Sequence, residues 1–146
     1  MRQRSSRFQK IVKLAETDER RLAEATGASQ RQLNDQVARL GELNAYRHDY
    51  ASKAKTRGFT SAAQLKDYQD FLGRLDQAVL SQQQIIHDCE LNLERHRRQW
   101  QVKRQRLESL DRVRERFLSE ETVAEERQLQ RVIDDRPSRP LRYEDN

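Results

Sequence analysis

Between Leu65 and Phe117 the chain places an apolar residue alternately every third and every fourth position, and this narrows the possible folds more than any other feature. The series reads Leu65, Tyr68, Leu72, Leu75, Val79, Gln82, Ile86, Cys89, Leu93, His96, Trp100, Lys103, Leu107, Leu110, Arg114 and Phe117, and twelve of these sixteen positions are apolar when cysteine is counted. Sustained over about eight heptads, it is the narrow 3.5-residue repeat of a coiled-coil seam rather than the broader stripe of a globular amphipathic helix. Gln, Arg, Glu and Asp fill most of the positions between, as a solvated face requires. Pro137 stops the helix.

Composition agrees with a thin core. Charged residues make up 36% of the 146, against about a quarter in an ordinary globular domain, and Leu, Ile, Val and Phe together number only 31. Such a chain cannot bury a broad, round core. Four glycines and two prolines argue against disorder, a β-sandwich or a Gly-rich phosphate loop, and both prolines, Pro137 and Pro140, lie in the last ten residues. The formal net charge of +5 is mixed in sign and permits an acidic partner without demanding nucleic acid. The lone Cys89 excludes an internal disulfide and fits a reducing compartment. No apolar run approaches the roughly 20 residues that span a bilayer. The basic N-terminus is followed by no apolar stretch of a secretory signal, so a cytoplasmic protein is expected.

The first half reads as helix with a less regular period. Phe8, Ile11 and Ala15 start a stripe that Leu22 and Ala25 extend, and Leu33, Val37, Leu40, Ala51 and Ala54 run on a shifted frame, which reads as a stutter. Gly27 and Gly41 each weaken this helix by up to ~1 kcal/mol relative to alanine. Between the halves, Gly58 suits the left-handed residue that closes a helix, and Ser61 with Gln64 has capping-box spacing for the next. A short link between two long helices makes them antiparallel neighbours. The predicted fold is all-α, a long antiparallel two-helix coiled-coil hairpin forming one domain over residues 1–146. Its parts are a first helix over about 5–56, a turn at 57–61, a second helix over 61–135 and a disordered tail at 136–146. At about 1.5 Å per residue the second helix outruns the first.

Two surface features lie outside the seam. Leu43, Tyr46 and Tyr50 share one face of the first helix, and Phe71 and Ala78 each precede a seam residue of the second. Folding the chain back at Gly58 to Phe59 sets Tyr46 beside Phe71, Leu43 beside Leu75, Arg39 beside Ala78 and Tyr50 beside Tyr68. These residues either widen the core near the tip or form a docking patch of the kind aromatic anchors make. Towards the other end, nine Lys or Arg stand against three acids between Arg95 and Arg116, and antiparallel pairing brings them near Arg2, Arg4, Arg7 and Lys10. That run is a solvated face or a contact for an acidic protein surface. No aromatic platform interleaves with it as single-strand nucleic-acid binding requires.

No constellation points to catalysis or a metal. His87, Asp88 and Cys89 are consecutive and face different sides of a helix, while His96 sits in the seam, where polar residues fix register. Glu120, Glu121, Glu125 and Glu126 lie on an exposed helix with no pocket to desolvate them. The expectation is a chain that is not an enzyme and needs no cofactor.

The chain resembles the FliJ family, small coiled-coil proteins of the bacterial flagellar type III export apparatus. The resemblance rests on Leu14-Ala15-Glu16, on Leu43-x-x-Tyr46-x-x-x-Tyr50, on Asp67-Tyr68-Gln69-Asp70-Phe71-Leu72 with Leu75, Ala78, Val79 and Gln82, and on Trp100-x-x-Lys103-x-x-x-Leu107 with Arg106. With the loop placement it covers roughly residues 8 to 117. It implies a hairpin resembling the rotor stalk of F-type and V-type ATPases, seated in the hexameric export ATPase ring through its terminal ends. It implies contact with the cytoplasmic domain of the export gate protein FlhA, binding of export chaperones, a role in motility, and a cytoplasmic location peripheral to the inner-membrane export apparatus. Carried over by position, the gate contact comprises Leu43, Tyr46, Tyr50, Phe71, Leu75, Ala78 and Gln82. The ATPase-facing set comprises Arg2, Arg4, Arg7, Lys10, Arg112, Arg114 and Arg116. The alternatives are a basic coiled-coil scaffold, a nucleic-acid-binding protein, or the related injectisome stalk protein.

Overall fold

The computed structural model describes residues 2–135. Two helices account for nearly all of them, α1 (Arg2–Arg57) and α2 (Ala62–Asp134), packed as a helical hairpin with no strand among the described residues. Pro137, Pro140 and the expected tail at 136–146 lie outside the described residues.

The turn follows from local chemistry. Gly58 adopts a φ of 68°, a conformation open to glycine at no steric cost. Its N–H donates to the Ala54 carbonyl at 2.9 Å, which closes the last turn of α1 as an αL cap. Opposite charge at this end helps, since Lys55 and Arg57 stand in the last turn, where the carbonyls carry partial negative charge. At the start of α2 the Ser61 hydroxyl accepts from the Gln64 N–H at 3.2 Å. The Gln64 side chain reaches back to accept from the Thr60 N–H at 3.0 Å and its hydroxyl at 2.7 Å. These contacts satisfy amide groups that the helix itself leaves free.

Burial defines a line rather than a volume. Among the described residues the buried apolar side chains are Val12, Ala15, Leu75 and Leu93, and most other seam residues of α2 are half-buried. On α2 the frame read from the sequence is the one that faces α1, and it runs on through the half-buried Glu121 and Ala124. On α1 the structure corrects the reading. Val12 is completely buried whereas Ile11 is 47% exposed, and Val37 is 50% exposed beside a half-buried Gln36. The α1 seam is therefore Ser5, Phe8, Val12, Ala15, Glu19, Leu22, Thr26, Ser29, Leu33, Gln36, Leu40, Leu43, Arg47, Tyr50 and Ala54, every one of them buried or half-buried. That is one unbroken alternation of threes and fours, with no stutter. The frame was hidden because polar residues occupy six of its positions.

The molecule divides into two compact units, one of Glu19–Lys103 and one of Met1–Asp18 with Arg104–Asn146. Each contains a stretch of both helices. No helix of the described residues is long and apolar enough to cross a membrane.

Candidate partner-binding surface

The unit that contains the turn carries most of the aromatic residues. Tyr46 packs edge-on against Phe71 with ring centroids 6.4 Å apart and stacks on Tyr50 at 6.5 Å. Tyr50 lies 4.7 Å from Phe71 and stacks on Tyr68 at 5.5 Å. Phe59, in the turn, extends the series by packing 5.1 Å from Tyr68. The cause is the heptad frame. Tyr50 and Tyr68 are seam residues that meet across the helices, and Tyr46 and Phe71 stand one position outside the seam on either helix, so their rings meet at its margin. Aromatic pairs in such offset and edge-on arrangements contribute about 0.5–1.5 kcal/mol beyond the area they bury. Phe59 had no periodic signal, because it lies in the turn; its place beside Gly58 is the only clue in the sequence.

The seven residues carried over as the gate contact divide by depth. Tyr46 is 53% exposed, and Leu43, Tyr50, Phe71 and Ala78 are half-buried. Leu75 and Gln82 are buried in the seam. The Gln82 amide nitrogen donates to the Gln36 carbonyl at 2.9 Å and to Gln36 Oε1 at 2.7 Å, so its polar group is spent inside the hairpin. A shallow groove of about 470 Å³ is lined by Arg39, Glu42, Leu43, Tyr46 and Gln82, and it places a cation, a carboxylate, an aliphatic and a phenol at one opening. Beside it Arg47 hydrogen-bonds Asp76 through its Nε. That hydrogen bond, with the carboxylate's charge, holds the guanidinium above its ordinary pKa while desolvation opposes the shift.

The second unit holds the terminal basic residues. Phe8 meets Phe117 edge-on at 5.3 Å, and the Arg4 guanidinium lies 4.5 Å over the Phe117 ring, a cation–π contact. Ser5 donates through its N–H and its hydroxyl to the two oxygens of Glu121, at 3.2 and 2.6 Å. Arg114 is half-buried and pairs with Asp111 at 3.1 Å. Arg7, Lys10, Arg112 and Arg116 are exposed, whereas the side chain of Arg2 lies outside the described residues. In α1 no acidic residue occurs before Glu16, and the first turn has none. Acids there would have complemented the helix dipole, so the cations gain nothing from it. Among the described residues no group of His, Cys, Asp and Glu is placed to hold a metal ion.

A protein-family model described as Flagellar FliJ protein matches residues 4–141. Searches of curated proteins and of solved structures each gave no match. With the turn, the aromatic pairs and all but the first two residues of the helices inside the matched region, the chain belongs to the FliJ family of flagellar proteins.

Proposed function

We propose that this chain is a stalk and adaptor that links the export ATPase ring to the export gate. Membership of the FliJ family supports reading it as a non-catalytic component of the flagellar export apparatus. The finer reading is carried by one observation: Tyr46 and Phe71 stand at the margin of the seam, packed against the seam residue Tyr50, with Tyr46 more than half exposed. A tyrosine held on two sides by other rings is rigid before it meets a partner, so little side-chain entropy remains to be lost on binding. In this reading Tyr46 and Phe71 anchor the cytoplasmic domain of FlhA, and Leu43, Tyr50 and Ala78 shape the surface around them. Leu75 and Gln82 support that surface from inside the seam. Export chaperones are further partners, and Arg4, Arg7, Lys10, Arg112, Arg114 and Arg116 face the ATPase ring. Arg4 and Arg114 already have partners within the chain, which leaves Arg7, Lys10, Arg112 and Arg116 as the exposed cations of that contact. The hairpin acts mechanically, holding the ring in one state and passing that state to the gate, at a location peripheral to the inner membrane.

The test is binding to the purified cytoplasmic domain of FlhA, wild type against Tyr46→Ala/Phe71→Ala. The expected outcome is at least a tenfold loss of affinity with unchanged helical circular dichroism. Loss of helix on the double substitution would mean that the rings serve the fold, and undiminished binding would place the gate contact elsewhere.

A further inference from the structure

An unbroken heptad repeat in both helices creates an ambiguity. Sliding one helix by seven residues along the other returns every seam position to the seam, and apolar residues again meet mostly apolar residues. A slide of seven residues moves the turn three or four residues along the chain, and what opposes it there is the left-handed Gly58 and the Ser61–Gln64 cap, each worth about 1 kcal/mol.

Polar residues remove the ambiguity. The α1 seam has six of them, Ser5, Glu19, Thr26, Ser29, Gln36 and Arg47. Thr26 is satisfied within its own helix, donating to the Leu22 carbonyl at 2.7 Å. Each of the other five meets a polar group of α2. Ser5 bonds Glu121, Glu19 accepts from Trp100 Nε1 at 2.8 Å, and Arg47 pairs with Asp76. Two further sets, each with a buried member, lie in the turn-containing unit. Gln82 donates twice to Gln36. Ser29, 5% exposed, shares a hydrogen bond of 2.5 Å with His96 Nδ1 and accepts from Asn92 Nδ2 at 3.3 Å.

We propose that the Gln36–Gln82 and Ser29–His96–Asn92 layers fix the register of the hairpin, and so hold Tyr46 against Phe71. Gln36 with Gln82 and Ser29 with His96 differ by a heptad in the sum of their numbers, so each seam residue faces two positions of the other helix, and Gln82 already shares an opening with Leu43. A slide of one heptad one way moves Gln82 from Gln36 to Leu43 and Tyr50, and a slide the other way moves His96 from Ser29 to Ala15 and Leu22. The first slide leaves the Gln82 amide against largely apolar side chains and the second does the same to the His96 ring, so the two layers together exclude both directions. Selecting one register at a cost in stability is the best-attested use of polar residues in a coiled-coil seam. In this assignment Gln82 is a positioning residue that acts on the aromatic face through the seam, and the assignment stands whether or not that face binds the gate.

Spin labels on Arg20 and Gln83, both exposed, in a Cys89→Ala chain report the register by pulsed electron paramagnetic resonance. A slide of seven residues moves one label along the axis by about 10 Å at roughly 1.5 Å per residue. The parent chain is expected to give one distance. Gln36→Leu/Gln82→Leu/Ser29→Ala/His96→Leu is expected to stay helical and to give a second population displaced by most of that step. A single unshifted distance in this variant overturns the proposal. The thermal midpoints give an independent reading. Gln36→Leu alone should lower the midpoint by removing the side-chain acceptor of the Gln82 amide and leaving it only the residue 36 carbonyl, and Gln36→Leu/Gln82→Leu should recover or exceed the parent value. A double variant as unstable as the two single effects added would also overturn it.

Discussion

Leu91 and Leu93 are two residues apart on α2, yet one lies outside the seam and the other inside it. Leu93 is 5% exposed and Leu91 58% exposed. Truncating the first removes buried methyl groups and leaves a void that a thin seam closes only in part, whereas truncating the second removes surface that water already covers. Leu93→Ala is therefore expected to cost about 2–4 kcal/mol, and Leu91→Ala to stay within about 0.5 kcal/mol, measured by urea denaturation followed by helical circular dichroism. Equal effects would mean that the seam runs elsewhere. The same distinction marks what could be read of the candidate site. Spacing placed Tyr46 beside Phe71 and Tyr50 beside Tyr68, because both pairs follow from period and chain reversal. It did not give depth. Leu75 and Gln82 belong to the seam frame by the same steps that define the patch, and only packing shows that their side chains are enclosed.

At the level of the helices, α2 was legible and α1 was misread in part, for a physical reason. The seam of α2 is polar at few positions, so counting apolar residues finds its frame. The α1 seam includes Ser5, Glu19, Thr26, Ser29, Gln36 and Arg47, while Ile11, Leu14 and Val37 stand exposed outside it. Apolar content alone favours a drifting frame there; the true one emerges once each polar residue finds its partner on α2. Two glycines test the same helix. Gly58 carries the left-handed conformation that ends α1, and Gly58→Ala should cost roughly 1–2 kcal/mol. At Gly41 an added Cβ meets nothing within 4 Å, and the residue lies inside α1. Gly41→Ala should therefore stabilise by about 0.5–1 kcal/mol by restricting the unfolded chain. Thermal unfolding of the two variants should move in opposite directions; a shared direction would refute the assigned roles.

For the whole molecule, the question is whether its two kinds of surface act separately. The aromatic face lies in the unit of Glu19–Lys103, and the exposed cations Arg7, Lys10, Arg112 and Arg116 lie in the unit of Met1–Asp18 with Arg104–Asn146. The two surfaces also differ in the forces available to them. Rings gain by leaving water and are little affected by salt, whereas exposed charges gain from Coulomb attraction that is screened beyond about 8 Å at physiological ionic strength. Under the stalk-and-adaptor reading, Arg7→Glu/Lys10→Glu should weaken binding to the export ATPase while leaving FlhA binding unchanged. Tyr46→Ala/Phe71→Ala should do the reverse. Both cations are exposed and have no assigned partner within the chain, so reversing them should not disturb the seam. Binding to the ATPase should fall as salt is raised from 50 to 500 mM, and binding to FlhA should change far less. If the charge reversal weakens both interactions equally, the two surfaces do not work independently. If the wild-type chain instead binds duplex DNA with an affinity that falls by about 0.9 log units per log unit of salt for each phosphate contact, the cations serve nucleic acid and the reading of them as a ring contact fails.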